Sequence, residues 1–206
     1  MIFRMRDPKP NKTRREEYTE ATRNALLAAG RDIFAREGYQ AAGVEAISRE
    51  ARVTRGAFYH HFEDKKALFD AVVISMQQEA VAKVNEKSRD QRKIWDRLFV
   101  GIDAYLDVCL EPAYRRIVIQ EGSAVLGNER FQEIEETYPM ALLMASIKAL
   151  KRDGELAFED VELLARMVDA MICKIALMLP NTDDPKGLRE RGRDIIDALL
   201  GTLRRR

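Results

Sequence analysis

The sequence predicts an all-α protein of about nine helices, and three observations carry that prediction. Apolar residues recur at spacings of three and four along most of the chain, and no segment alternates with a period of two. Ala, Leu, Glu, Arg and Ile are plentiful, whereas 206 residues include only 11 glycines and 6 prolines. That balance favours helix over strand. Gly38, Pro112, Pro180 and Gly187 punctuate the periodic segments.

Residues 1–17 are read as a flexible basic arm, since Pro8 and Pro10 discourage a helix. "YTEATRNALLAAGRDIFAREG" is the first helix. Thr19 is placed to cap it, Leu26, Leu27, Ile33 and Phe34 form its apolar stripe, and Gly38 stops it. "VEAISREA" makes two turns with Val44, Ile47 and Ala51 on one face. After the turn "RVT", Thr54 caps the short helix "RGAFYHHF", whose Phe58 and Phe62 lie one turn apart and point inward. Asp64 caps the long helix "KKALFDAVVISMQQEAVAKVNEK". Five segments follow. "RDQRKIWDRLFVGIDAYLDVCL" is apolar on a wide arc and is placed centrally. Pro112 separates it from "AYRRIVIQEGSAVLG". "ERFQEIEETYPMALLMASIKALKRDG" contains Pro139, which should kink or break it. "FEDVELLARMVDAMICKIALML" and "DPKGLRERGRDIIDALLGTLRRR" are long and amphipathic, with Pro180 and Gly187 at their join. The predicted divisions are the arm (1–17), a three-helix module (18–64), a connecting helix (65–88) and a helical domain (89–206).

Two short helices joined by a three-residue turn, between one longer helix and another, make a helix-turn-helix module. In such a module the first short helix braces while the second offers side chains to the DNA major groove. With Phe58 and Phe62 facing the core, Arg55, Gly56, Tyr59 and His60 fall on the outer face. Gly56 and Ala57 are small enough for close approach to bases and sugars. Tyr59 and His60 can donate to phosphates or pack on thymine methyls, and Arg55 can read guanine or bind phosphate. His61 lies nearer the core and can brace the module or reach a phosphate. Lys65 opens the next helix, whose N-terminus favours phosphate. Charge agrees with an anionic partner for this end. Residues 1–66 carry 14 Lys/Arg against 10 Asp/Glu, residues 67–206 carry 21 against 24, and residues 1–15 hold six basic groups with Asp7 alone opposing them.

From Gly38 to Phe62 the chain resembles the TetR family of transcriptional regulators. The resemblance rests on "GY" at 38–39, on Val44 and Ile47, and above all on "AFYHHFEDKKALF" at 57–69. With the opening helix it covers about the first 75 residues. "VLGNERFQEIEETY" also looks like a ligand-domain segment of some members. The resemblance implies a repressor released from a palindromic DNA operator by a small-molecule ligand. It further implies a C-terminal ligand-binding and dimerisation domain that pairs as a homodimer through the last two helices, with no cofactor. It places Gly43, Thr54, Arg55, Gly56, Ala57, Tyr59, His60, His61 and Lys65 at the DNA. This chain departs from the family pattern at three points: Gly43 stands where Ser or Thr is usual, Ser48 where alanine is usual, and Arg52 at the usual turn glycine. Arginine in a position that favours positive φ costs about 1 kcal/mol.

The only two histidines, His60 and His61, are neighbours on a helix, where side chains diverge by about 100°, and no third histidine exists to complete a metal site. Cys109 and Cys173 form no spaced cluster and read as small buried hydrophobes. Asp96, Asp103 and Asp107 share a helix face and read as a solvated face. The Met167, Met171 and Met178 stripe reads by default as core. Candidate ligand-pocket residues are Trp95, Tyr105 and Cys109 on the apolar arc, Glu121 in "VIQEGSAVLG", and Met144 with Met171. Each has ordinary packing as its competing reading. No G-x-S-x-G, HExxH or phosphate-binding glycine loop is present, so an enzyme is not expected. The most apolar stretch, "MVDAMICKIALML", is interrupted by Asp169 and Lys174 and is too short to span a bilayer. No secretory signal is visible, and the expected compartment is the cytoplasm. A helical ligand-binding or adaptor protein with a weakened DNA module, or a helical enzyme, stays open as the alternative.

Overall fold

The computed structural model describes residues 13–205, and among these the chain is all helix apart from loops and one isolated bridge between Leu156 and Arg204. The basic arm up to residue 12 lies outside the described residues. Nine helices can be traced among those described. The first, α1 (Arg14–Glu37), starts earlier than the sequence suggests. Its cap is Thr13, not Thr19. Thr13 Oγ1 accepts the Glu16 amide and the Glu16 carboxylate accepts the Thr13 amide at 2.8 Å, a reciprocal pair that satisfies two otherwise free donors. Thr19 sits inside the helix, with its hydroxyl donating to the Arg15 carbonyl. Residues Arg14–Glu17 of the expected arm are therefore helical.

Helices α2 (Val44–Glu50), α3 (Arg55–His61) and α4 (Lys65–Ser88) follow as the periodicity predicts. The Ala57 amide donates to Thr54 Oγ1 at 3.1 Å, and the Ala67 amide donates to Asp64 Oδ1 at 2.7 Å. Gly43 precedes α2 without a side-chain cap. Leu26, Ile33, Phe34, Ile47, Phe58, Leu68 and Phe69 are fully buried and close a core between α1, α2, α3 and the first half of α4.

Helix α5 (Ile94–Leu110) begins a turn later than expected and runs through the middle of the remainder, packed on α4 along its length. Residues 112–126 form one helix, α6, whose segment Arg115–Glu121 is widened to a π-helix. Residues 128–152 form α7, and Pro139 neither breaks nor ends it. The helix widens to a π segment over Glu136–Met140, which accommodates the missing N–H and the ring of the proline. Helices α8 (Val161–Met178) and α9 (Pro185–Gly201) complete the chain, capped by Asp160 and Asp184. They pack on each other and on α5. Gly192 makes that close: a Cβ there would lie 2.6 Å from Ile175 Cδ1.

The acidic face of α5 is not merely solvated. Asp103 and Asp107 pair with Arg189 at 2.7 and 2.9 Å, and Arg193 joins Asp103 at 3.3 Å, so these acids bind α9 to α5. The methionine stripe is also not core: Met167 and Met178 are exposed, and Met171 is half-buried against the core. No helix among the described residues is long and apolar enough to cross a membrane.

Candidate functional site

Helix α3 packs against α2, with Phe58 and Phe62 buried beneath it. This burial fixes which residues face outward. Thr54, Arg55, Gly56, Tyr59 and His60 are exposed, while Gly43, Ala57, His61 and Lys65 are half-buried at the edge of the same surface. The side chains are not independent. Arg55 Nη1 lies 2.7 Å from Glu45 Oε1, its Nη2 donates to the Tyr59 hydroxyl at 3.4 Å, and its guanidinium lies 5.5 Å from the Tyr59 ring centroid. The His60 and His61 rings stand edge-to-face with centroids 5.2 Å apart. Burial, then the charges of His60 and Arg23, lower the pKa of His61. Among the described residues no group of three His, Cys, Asp or Glu is placed to hold a metal.

Glycine placement separates internal from external demands. At Gly30, Gly122 and Gly192 a Cβ would collide with Leu68, Phe131 and Ile175 at 2.9, 2.4 and 2.6 Å, so packing within the chain requires glycine there. Nothing of the sort applies at Gly43 or Gly56. A Cβ at Gly43 meets only Glu45 Oε2 at 3.9 Å, one at Gly56 meets only Thr54 Oγ1 at 3.7 Å, and neither residue has positive φ. Gly56, inside α3, costs up to roughly 0.5–1 kcal/mol relative to alanine, whereas Gly43 is the N-cap of α2, where glycine is favoured over alanine. Both glycines lie on the α2–α3 face and leave room there for another molecule's backbone.

Lys65 is placed differently from the sequence expectation. Its ammonium donates to the carbonyls of Tyr39 at 2.7 Å and Ala42 at 2.8 Å, and it rests 4.4 Å from the Tyr39 ring centroid. The turn between α1 and α2 leaves carbonyls that no helix satisfies, and Lys65 supplies their donor. Arg52 has φ of 56°, the left-handed conformation expected of the turn between α2 and α3.

Of the expected pocket residues, Tyr105 alone lines the mostly apolar cleft of the C-terminal domain. That cleft lies between α4, α5, α7 and α8, opens to solvent and has about 80 Å³ of space inside it. Its walls are Val81, Val84, Leu98, Ile102, Leu142, Leu143 and Ile172, with Asn85, Ser88, Arg97, Ser146 and Asp169 as polar groups. Behind it, Tyr105 and Tyr114 join hydroxyls at 3.0 Å, and Tyr114 donates to Gln77 Oε1 at 2.8 Å. The other five candidates lie elsewhere. Trp95 is buried under Arg204 and Phe99 beside a separate, polar cleft. Cys109 is buried in the core, and that burial pushes its thiol up to about 12. Met144 and Met171 pack against the core from its edge. Glu121 is turned away from the cavity and toward the DNA-facing module. Its Oε2 accepts the Tyr39 amide at 2.9 Å, and Oε1 lies 3.8 Å from Arg116. Arg116 also donates to the Arg36 carbonyl. Gly38, with φ of 82°, fits between them, because a Cβ there would lie 2.6 Å from Glu121 Oε1.

Asp169, missed as a site residue, had a visible sign: it is the acid that interrupts the most apolar stretch of the chain. Burial raises its pKa. Glu45 had none, since nothing in the sequence links it to Arg55.

Comparison with known proteins agrees with this geometry. Residues 26–72 match the family described as bacterial regulatory proteins, tetR family, and residues 95–203 match the tetracyclin repressor-like C-terminal domain. The chain is 29% identical over 171 residues to the transposon Tn10 TetC protein of Escherichia coli, covering 83% of this chain and 86% of that protein. It is 28% identical over 166 residues to the HTH-type transcriptional repressor BepR of Brucella suis, covering 73% of this chain and 77% of that one. A crystal structure of a TetR-family transcriptional regulator from Pectobacterium atrosepticum superposes with a TM-score of 0.78 at 29% identity, covering 95% of this chain and 99% of the other. The chain belongs to the TetR family of DNA-binding transcriptional regulators.

Proposed function

We propose that the chain is a homodimeric repressor whose α2–α3 surface docks in the DNA major groove and which a small molecule in the α4–α5–α7–α8 cleft releases. The observation that carries the docking is Gly56, exposed on the outward face of α3 beside Arg55 and Tyr59, where no contact within the chain requires glycine. Around it Arg55, Tyr59, His60 and the Thr54 hydroxyl offer donors to phosphates and base edges.

Dimerisation through the last two helices is supported by their outer face. Leu163, Met167, Leu177, Met178, Ile195 and Leu199 are 42–60% exposed on α8 and α9, a concentration of large apolar side chains that a monomer would leave in water. A two-fold four-helix bundle would cover them and present two α3 helices to successive major grooves, about 34–36 Å apart.

The cleft favours a mostly apolar effector with a polar group addressed to Tyr105 or Asp169. Two helices, the wall helix α4 and its neighbour α6, lead toward the DNA-binding end. Helix α4 runs directly from the cleft to α3, and the π segment of α6 holds the α1–α2 turn through Glu121 and Arg116. A ligand that favours a different α4–α6 arrangement would shift the α3 spacing, and by linkage DNA would weaken that ligand equally. The cytoplasm, where the chromosome is, is the compartment this role requires.

Selecting bound sequences from a random duplex library with the full chain tests the reading. A palindromic motif with half-sites about 10 bp apart is expected. The double variant Ile195→Glu, Leu199→Glu should sediment as a helical monomer and lose the palindrome. A wild-type monomer, or a double variant that still dimerises, overturns the assignment of that face.

A further inference from the structure

We infer that Glu45, on the bracing helix α2, sets the DNA sequence preference of this protein by holding Arg55, without itself touching a base. The inference rests on the docking proposed above. A carboxylate on a surface meant for a polyanion weakens binding unless its charge is used on a neighbour. Here it is used: Glu45 Oε1 sits 2.7 Å from Arg55 Nη1. On the other side, Tyr59 takes Arg55 Nη2 through its hydroxyl at 3.4 Å and lies under the guanidinium at 5.5 Å. The guanidinium is thus gripped from two helices, by α2 through Glu45 and by α3 one turn beyond Arg55 itself.

The grip has a consequence for what Arg55 can bind. A free arginine at a helix start has several rotatable bonds and can close on whichever phosphate is nearest, which adds affinity for any duplex. A guanidinium held by a carboxylate has part of its donor set already occupied and part of its charge cancelled. A second anion gains little from it. Once the DNA surface excludes solvent around the pair, the remaining N–H groups are held in one direction, which suits the bidentate contact to guanine O6 and N7. Glu45 therefore exchanges general affinity for discrimination. In water the exposed pair contributes little, and it strengthens when the DNA surface excludes solvent around it.

Gly56 and Gly43 fit the same arrangement. Both lie next to the pair and leave the α2–α3 surface flat enough for the held fork to reach a base edge. The position of Glu45 in the first turn of α2 supplies a rival, purely structural role, since acids there complement the helix dipole. That role predicts a change in stability and none in base preference.

The test uses the full-length protein and the duplex it selects from a random library, with a scrambled duplex of equal length as the non-specific probe. Four variants are compared: Glu45→Gln, Glu45→Asp, Arg55→Ala and Glu45→Gln with Arg55→Ala. Arg55→Ala identifies the base pair that Arg55 reads. At that pair, Glu45→Gln should reduce discrimination by about 5-fold or more, part of the range for a bidentate contact. Its affinity for the scrambled duplex should rise, with a salt dependence steeper by about one phosphate contact. Glu45→Asp keeps the charge but shortens the reach, so it should also lose discrimination while leaving scrambled-duplex affinity near wild type. The double variant should discriminate no worse than Arg55→Ala.

Unchanged preference in both Glu45 variants, with melting temperature alone affected, overturns the inference in favour of the helix-terminus role. Loss of preference at a different base pair overturns it too, because Glu45 would then be reading a base itself. If Arg55→Ala changes neither affinity nor preference, the docking of α3 fails, and that failure is separate from failure of the grip.

Discussion

Replacing Glu135 by glutamine is expected to stabilise the protein, by an amount that grows as pH rises from about 4.5 to about 7 and then stays constant. Glu135 lies on α7 in a largely buried site beside Asp169, and burial first, then the Asp169 charge, pushes its pKa from 4.5 up to about 7. Its charge in turn bears on Tyr105, Cys109, Tyr114 and Cys173, none of which can neutralise it. Between those two pKa values the folded chain holds a proton that the unfolded chain has released. Stability therefore falls as pH rises from about 4.5 and levels off above about 7. At about 1.4 kcal/mol per pH unit, the full loss is about 3 kcal/mol. Glutamine keeps the shape and carries no charge. Urea unfolding of both proteins between about pH 5 and pH 8, at one fixed protein concentration, measures the difference. The two curves should nearly coincide at the acid end and separate toward the alkaline end, with the variant the more stable. A gap independent of pH, or a wild type that gains stability from pH 5 to pH 8, would refute the reasoning.

Three further outcomes follow from single contacts. Ser48 is buried with its Oγ unbonded, so Ser48→Ala should raise stability by about 1 kcal/mol in the same denaturation assay. Arg52→Gly relieves a left-handed φ and should also stabilise, by up to about 1 kcal/mol. Lys65→Met removes the donor to the Tyr39 and Ala42 carbonyls and should cost about 1.5–3 kcal/mol, with the loss visible as faster hydrogen exchange in the α1–α2 turn.

Local chemistry made the helix-turn-helix module legible. Thr54 and Asp64 cap the helices they were expected to cap, and the spacing of Phe58 and Phe62 settled which side of α3 is buried. The first helix was misplaced for a local reason too. Thr13 and Glu16 carry the capping-box spacing, but the prolines before them drew the boundary to Thr19. What the sequence hid is tertiary. Glu121 finds its partner 82 residues away at Tyr39, and Arg189 reaches Asp103 across 86. No periodicity encodes such pairings, so an acid read as a pocket group became a brace and a solvated face became a cross-link. Pro139 was legible as a disturbance but not as a π segment, because the surrounding packing decides between widening and breaking a helix. Tyr105 was found among the pocket residues, whereas Asn85, Ser88 and Ser146 were not, since small polar residues on long helices look like ordinary surface.

The central claim is that the α2–α3 surface is shaped for another molecule's close approach, and Gly56→Ala tests it most directly. Nothing inside the chain opposes a methyl group there, so the variant should be as stable as wild type or more stable by roughly 0.5–1 kcal/mol. Measured against the selected operator by a salt-controlled titration, its affinity should nevertheless fall on the order of tenfold or more, about 1.4 kcal/mol. A variant that gains stability and binds the operator as tightly as wild type would contradict the docking of this face.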